Sequence, residues 1–196
     1  MDALEQLLVE IRQCRNCEAH LPLGPRPILS AAKEARILLA GQAPGTKVHA
    51  SGVPWDDQSG KRLREWLDME PRIFYDPKIL AIVPMGFCYP GRAERGDLPP
   101  RPECAELWHD KLHALLPNIK ITLAIGQYAI KHHLGKKRKK TLTETVKNWR
   151  EYLPLGIIPL VHPSPRNIMW RRRNPWFEKE VIPQIQQEIW TVIGEE

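Results

Sequence analysis

The stretch His162-Pro163-Ser164-Pro165-Arg166-Asn167 places a titratable ring, a hydroxyl and a cation in one short turn. Proline fixes φ, so Ser164, set between two prolines, is held on a rigid, protruding path. His162 directly follows the apolar run 157–161, which puts an imidazole at a strand end, where it can donate a hydrogen bond or exchange a proton. A second stretch, Gly41-Gln42-Ala43-Pro44-Gly45, follows the apolar run 35–40 and continues through Gly52-Val53-Pro54-Trp55-Asp56-Asp57 to Ser59-Gly60. Glycine lets the backbone turn sharply and approach a ligand, and peptide amides at a strand end can hold an anion or a carbonyl oxygen. No Gly-Lys-Ser/Thr follows, so this is not a Walker loop, and the glycine spacing does not match a dinucleotide fingerprint. His49, Asp56 and Asp57 are the titratable groups of this segment; the acidic pair also suits a turn or helix cap ahead of Ser59.

The four cysteines form a C-x2-C pair, Cys14 and Cys17, followed by Cys88 and Cys104 with fifteen residues between them. A C-x2-C pair taken alone leaves zinc, an iron–sulfur cluster and chance all open. Lysine and arginine number 29 against 23 acidic residues, a formal net charge of +6. Much of that charge is clustered, in Lys136-Lys137-Arg138-Lys139-Lys140 after Gly135 and in Arg171-Arg172-Arg173. Such runs are often solvated loops, but two of them in a basic chain favour a polyanionic partner such as nucleic acid.

The elements that must position these groups alternate along the chain. Leu4, Leu7, Leu8 and Ile11 recur at helical spacing, which predicts a helix over 2–13 with Asp2 as its N-cap. Short apolar runs predict strands at 35–40, 79–83, 119–125 and 157–161. Helices are predicted over 59–69 (capped by Ser59), 103–116, 127–134, 141–152 and 175–192, the last kinked or divided by Pro183. This order implies an α/β fold in three αβα layers around a central, mostly parallel four-stranded sheet, as one domain over residues 1–196. Ligands of such sheets bind beyond the C-terminal strand ends, where both loops lie. No stretch approaches the ~20 apolar residues of a membrane span, and the N-terminus lacks a signal-peptide pattern. The expectation is a cytoplasmic monomer with reduced cysteines.

Gly41-Gln42-Ala43-Pro44-Gly45, the later Pro54-Trp55 and the terminal His162-Pro163-Ser164-Pro165-Arg166-Asn167 together resemble the paired motifs of the uracil-DNA glycosylase superfamily. The last motif is most similar to the single-strand-selective monofunctional branch; the first motif and the cysteines are closer to the iron–sulfur branch. The resemblance implies a monofunctional glycosylase of base-excision repair that flips uracil or another deaminated base out of DNA and hydrolyses its N-glycosidic bond. By the same resemblance His162 hydrogen-bonds the uracil oxygen, the 41–45 amides assist, and Trp55 lies against the base. Ser164, Pro165, Arg166 and Asn167 form the wedge, and Cys14, Cys17, Cys88 and Cys104 bind a [4Fe–4S] cluster, zinc being the alternative for four thiolates. Lys136 to Lys140 and Arg171 would follow the phosphate backbone. Three departures from the family pattern stand out, the first being Gln42 where the iron–sulfur branch has a glutamate. Ala43 occupies the position of the water-positioning aspartate, and Val83-Pro84-Met85-Gly86 lacks the asparagine that reads uracil's edge. His49, Asp56 and Asp57 are the substitutes that the sequence offers for the water, and a binding protein without hydrolysis is the alternative function.

Overall fold

The computed structural model describes residues 2–94 and 96–194. In chain order it holds α1 (Ala3–Arg12), β1 (Ile37–Ala40), α2 (Thr46–Ser51), α3 (Gln58–Leu67), α4 (Pro71–Phe74) and β2 (Leu80–Ile82). A hairpin of β3 (Arg92–Ala93) and β4 (Gly96–Asp97) precedes α5 (Pro102–Cys104), which runs through a π-helical segment, Ala105–His109, into α6 (Asp110–Ala114). Then come β5 (Ile121–Ile125), α7 (Gly126–Leu134), α8 (Leu142–Lys147), β6 (Ile157–Leu160), α9 (Ile168–Arg173) and α10 (Ile182–Gly194).

β2, β1, β5 and β6 form one sheet in that order, every pair parallel. Their apolar runs are nearly continuous because both faces are covered, and the period-two alternation of the strands sorts the side chains between two cores. Ile37, Leu39, Leu80 and Ile82 join Leu63, Trp66, Leu67, Ile130, Ile185 and Ile189 from α3, α7 and α10 on one face. Leu38, Ala81 and Val83 join Leu4, Leu8, Ile11 and Leu112 from α1 and α6 on the other. The sheet is therefore the middle layer of three, as the alternation of elements implied. The outer edge of β2 is closed by a single antiparallel bridge to Ser30, whose N–H and C=O both pair with Ile82 at 3.0 and 2.7 Å.

The cap of α1 is the expected one: Asp2 accepts from the Glu5 amide and Glu5 reaches back to the Asp2 amide. At α3 the expectation is corrected. The cap is Asp57, which accepts from the Gly60 amide at 2.8 Å, while Ser59 is buried inside the first turn. The segment expected over 175–192 is divided next to Pro183. A π-helical segment, Phe177–Val181, ends just before it, and Pro183 falls in the first turn of α10, where a missing N–H costs least. The helix expected over 141–152 is α8, capped by a Thr141–Glu144 box, followed by a separate 3-10 helix, Trp149–Leu155, that contains Pro154.

Between the 102–114 segment and α7, four imidazoles pack in a ring. His109 lies 6.0 Å from His113 and 5.2 Å from His132; His133 lies 5.6 Å from His113 and 4.9 Å from His132. His109 is buried, stacks on Phe87 at 5.5 Å and donates from Nε2 to the Pro84 carbonyl at 3.1 Å. Burial pushes its pKa down to about 4, with His132 and His113 adding repulsion and the Pro84 carbonyl opposing. His133 is pushed to about 3, again first by burial and then by its neighbouring imidazoles. In the unfolded chain both take up protons near the ordinary histidine value of ~6.5. Stability is thus fully present above that value and is lost as the pH falls from it towards the folded-state values. For His109 alone the change is on the order of 3 kcal/mol. Urea midpoints are expected to hold level above about pH 7 and to drop steadily towards pH 4.5, with a shallower drop in His109→Gln. Equal slopes in the two proteins would show that His109 contributes nothing to the acid sensitivity.

Candidate active site

β1 lies inside the sheet, and the chain leaves it towards β2 on one side and meets β5 on the other. Loops that diverge from adjacent parallel strands leave a crevice beyond the strand ends. Here the crevice is a cleft of about 720 Å³, within the size range of small-ligand sites. Its walls include Gly41 to Gly45 after β1, Pro84 after β2, Gly126 and Gln127 after β5, and His162 with Ser164 to Asn167 after β6. The two motif loops therefore face one another across a single space. Backbone pairing continues past the strands to fix the first loop: Met85 and Gly86 donate to the carbonyls of Gly41 and Gln42, each at 2.9 Å.

His162 is held in one form. The Ser164 amide donates to its Nδ1 at 3.1 Å, so the ring proton resides on Nε2. Burial pushes the His162 pKa down to about 4, with Asp57 opposing, so the ring is neutral at physiological pH. Asn167 Nδ2 donates to the His162 carbonyl at 2.8 Å, and Ser164 Oγ caps the short 3-10 turn Pro165–Asn167 by accepting from the Arg166 amide at 3.3 Å. The result is a fixed neutral N–H donor at the cleft wall.

Trp55 packs its indole on the His162 ring, with centroids 5.5 Å apart and planes 29° from parallel. Its φ is +57°, a left-handed conformation that is costly for a bulky residue and persists only where its surroundings impose it. Two glycines provide that surrounding. A Cβ on Gly41 would lie 2.7 Å from the indole, and one on Gly60 would lie 2.6 Å from the Trp55 carbonyl carbon. Arg64 Nη1 and the Tyr75 hydroxyl approach the Trp55 carbonyl oxygen at 3.4 and 3.5 Å. Gly60 thus reads as a packing requirement of Trp55, a role that a sequence motif alone does not reveal.

The titratable candidates divide. Asp57 lines the cleft but spends Oδ1 on the Gly60 amide as the α3 cap. Asp56 is exposed and outside the lining, because the turn that aims Asp57 inward directs its neighbour to solvent. His49 also lies outside the lining. It sits on α2 with its ring 6.3 Å from Tyr89, and its carbonyl accepts from Arg26. Asp97 on β4 lines the cleft, although nothing in its sequence context drew attention to it. The residue is exposed, and partial desolvation where it meets the cleft raises its carboxyl; Arg166 and Arg92 oppose, and Asp57 adds to the rise. Gln42 lines the cleft as well, its Nε2 donating to the Leu98 carbonyl at 3.0 Å.

The model of the uracil DNA glycosylase superfamily matches residues 29–186. The chain belongs to this superfamily. The match takes in both motif loops of this superfamily member, the basic runs, Cys88 and Cys104, and begins after Cys14 and Cys17.

All four cysteines of this superfamily member line one small hollow beside Phe87, Arg101 and Trp108. Burial pushes Cys88 to about 11 and Cys104 to about 12, while amide hydrogen bonds from Arg26 and Phe87, respectively, favour their thiolates. A thiol so buried ionises near neutrality only against a strong positive charge, and amides aimed at sulfur suit a thiolate ligand, so the donor chemistry fits a four-thiolate centre. Among the described residues no group of three or more His, Cys, Asp or Glu side chains is placed so that it could hold a metal ion. Of the basic residues, Lys131, Lys136, Arg138, Lys139 and Lys140 surround a separate open hollow of about 530 Å³, and Lys137 is exposed. Lys139 is engaged with Glu151 at 2.6 Å. Arg171 is not offered to solvent as the basic run suggested. Its side chain is mostly buried over Trp66 and pairs with Glu178 at 3.0 Å.

Gly60→Ala is expected to destabilise by about 1–3 kcal/mol, because backbone cannot give way as a flexible side chain can. The urea midpoint measures this, with Gly194→Ala as the comparison, since nothing lies within 4 Å of a Cβ there. A Gly60→Ala midpoint equal to that of the comparison would mean that Trp55 is not clamped in this way.

Proposed function

We propose that the protein is a monofunctional DNA glycosylase that accepts uracil or another deaminated base, flipped out of DNA, in the cleft and hydrolyses its N-glycosidic bond. The observation that carries this reading is the pairing of the 41–45 loop and the His162 loop across one cleft of about 720 Å³. As the bond breaks, negative charge gathers on the departing base. A neutral His162 with its proton on Nε2 can donate to that charge without itself needing to ionise, and donors preorganised in this way lower the barrier. No lysine is among the described residues lining the cleft, so a Schiff base is not expected and the product is an intact strand with an abasic site. Arg166 and Ser164 at the rim suit contacts to the opened strand, and the exposed lysines of 136–140 suit its phosphates.

The test incubates excess protein with single- and double-stranded oligonucleotides containing uracil, hypoxanthine or xanthine, then cleaves abasic sites with alkali. Product is expected with at least one substrate, and His162→Ala is expected to slow it about 100-fold while leaving DNA binding intact. Ala43 at the cleft wall, in place of a carboxylate, is the observation that favours the second reading, a DNA-binding member without hydrolysis. Binding with no product from any substrate decides for it.

The same proposal assigns Cys14, Cys17, Cys88 and Cys104 to a [4Fe–4S] cluster, in preference to zinc. The cluster's contribution is structural, tying the segment after α1 to the loop after β2. Freshly purified protein is expected to be brown, with a broad visible absorbance shoulder and about four iron atoms per chain that are lost in Cys88→Ser. Colourless protein with stoichiometric zinc overturns the assignment.

A further inference from the structure

We propose that Asp97 is the carboxylate that holds and deprotonates the attacking water in this cleft, supplied by the β3–β4 hairpin instead of by the first loop; this rests on the glycosylase reading above. The first loop offers no such carboxylate: Ala43, which lines the cleft, has only a methyl side chain. Asp97 reaches the same place from another part of the chain. It lines the cleft, and its Oδ2 lies 3.5 Å from where a Cβ on Gly45 would stand, so the carboxylate rests over the last residue of that loop.

The hairpin is anchored there. Gln42 Nε2 donates to the Leu98 carbonyl at 3.0 Å, and the Leu98 amide donates to the Gly91 carbonyl at 2.9 Å. β3 pairs with β4 through Arg92 with Asp97 and Ala93 with Gly96. Gly96 has a φ of +105°, and the Arg166 guanidinium occupies the space a side chain there would need. A cation from the wedge loop therefore packs on the residue next to Asp97, within the same cleft.

Asp57 is less suited to the role, because its Oδ1 is already committed to the Gly60 amide. Asp97 remains open to solvent on one side, and partial desolvation at the cleft raises its carboxyl while Arg166 and Arg92 oppose the rise and favour the anion. The step balances. The C1′–N bond breaks with its electron pair going to the departing base, and the water oxygen bonds to C1′. The water proton passes to Asp97 and then to the base anion, leaving a neutral free base and an abasic sugar.

The experiment is single-turnover excision of uracil and hypoxanthine from oligonucleotides by wild type, Asp97→Asn, Asp97→Ala and Glu94→Gln. Glu94 is an exposed carboxylate of the same hairpin, outside the cleft. Asp97→Asn is expected to lose about 100-fold or more in rate with unchanged DNA affinity and to lose the acid limb of the pH profile. Glu94→Gln is expected to match wild type, and formate is expected to restore part of the Asp97→Ala rate. Active wild type with Asp97→Asn within about threefold of it overturns this assignment and leaves the glycosylase reading standing. Wild type without product on any substrate overturns both. Should Asp97→Asn melt early, formate decides: recovery in Asp97→Ala supports the role, and no recovery overturns it.

Discussion

β1 is hydrogen-bonded on both sides by parallel strands; the chain passes from β1 outward to β2, and from its neighbour β5 outward to β6 on the opposite side. Two loops that leave neighbouring strand ends in opposite directions cannot pack against each other, so a gap is unavoidable there. Every feature of the candidate site follows from that gap. The ladder extends beyond the strands to hold Gly41 and Gln42, α7 begins at Gly126 as soon as β5 ends, and the His162 loop closes the third side. A sheet with β1 at its edge would present the same motifs without bringing them together.

The cleft is shaped by constraint more than by flexibility. Trp55 occupies an unfavourable backbone conformation because Gly41 leaves room for its ring and Gly60 for its carbonyl, and the indole then supports the His162 ring. His162 is in turn tied by Ser164 and Asn167 from its own loop. A donor whose tautomer, orientation and neutrality are all fixed before a ligand arrives needs no reorganisation when charge develops beside it. The left-handed φ of Trp55 is the cost of that arrangement, borne at the site and offset by the two apolar layers that enclose the sheet.

Charge within the cleft is distributed across distant parts of the chain. Asp57 serves helix α3, Asp97 comes from a two-residue strand, and Arg166 reaches over Gly96 from the His162 loop. The basic residues also divide. Those of 136–140 stay largely open to solvent, whereas Arg171 is drawn into the contact between Trp66 and Glu178. Equal charges in the sequence thus become a surface in one case and an internal tie in the other.

The sequence by itself determined the sheet, the longer helices that cover it and the two motif loops, but not the short helices α2, α4 and α9. Buried parallel strands must be short apolar runs, and Gly/Pro-rich turns at their ends are local signals. It also carried the Asp2 cap, which depends on a residue three positions on. Only the tertiary structure decided which acidic group meets the cleft. Asp56 and Asp57 are adjacent, and the turn aims one inward and the other out; Asp97 enters through a hairpin of two pairs, too short to leave a periodic pattern. The role of Gly60, the ring of four histidines and the fate of Arg171 likewise arise from contacts between residues far apart in the chain, and no local spacing encodes those.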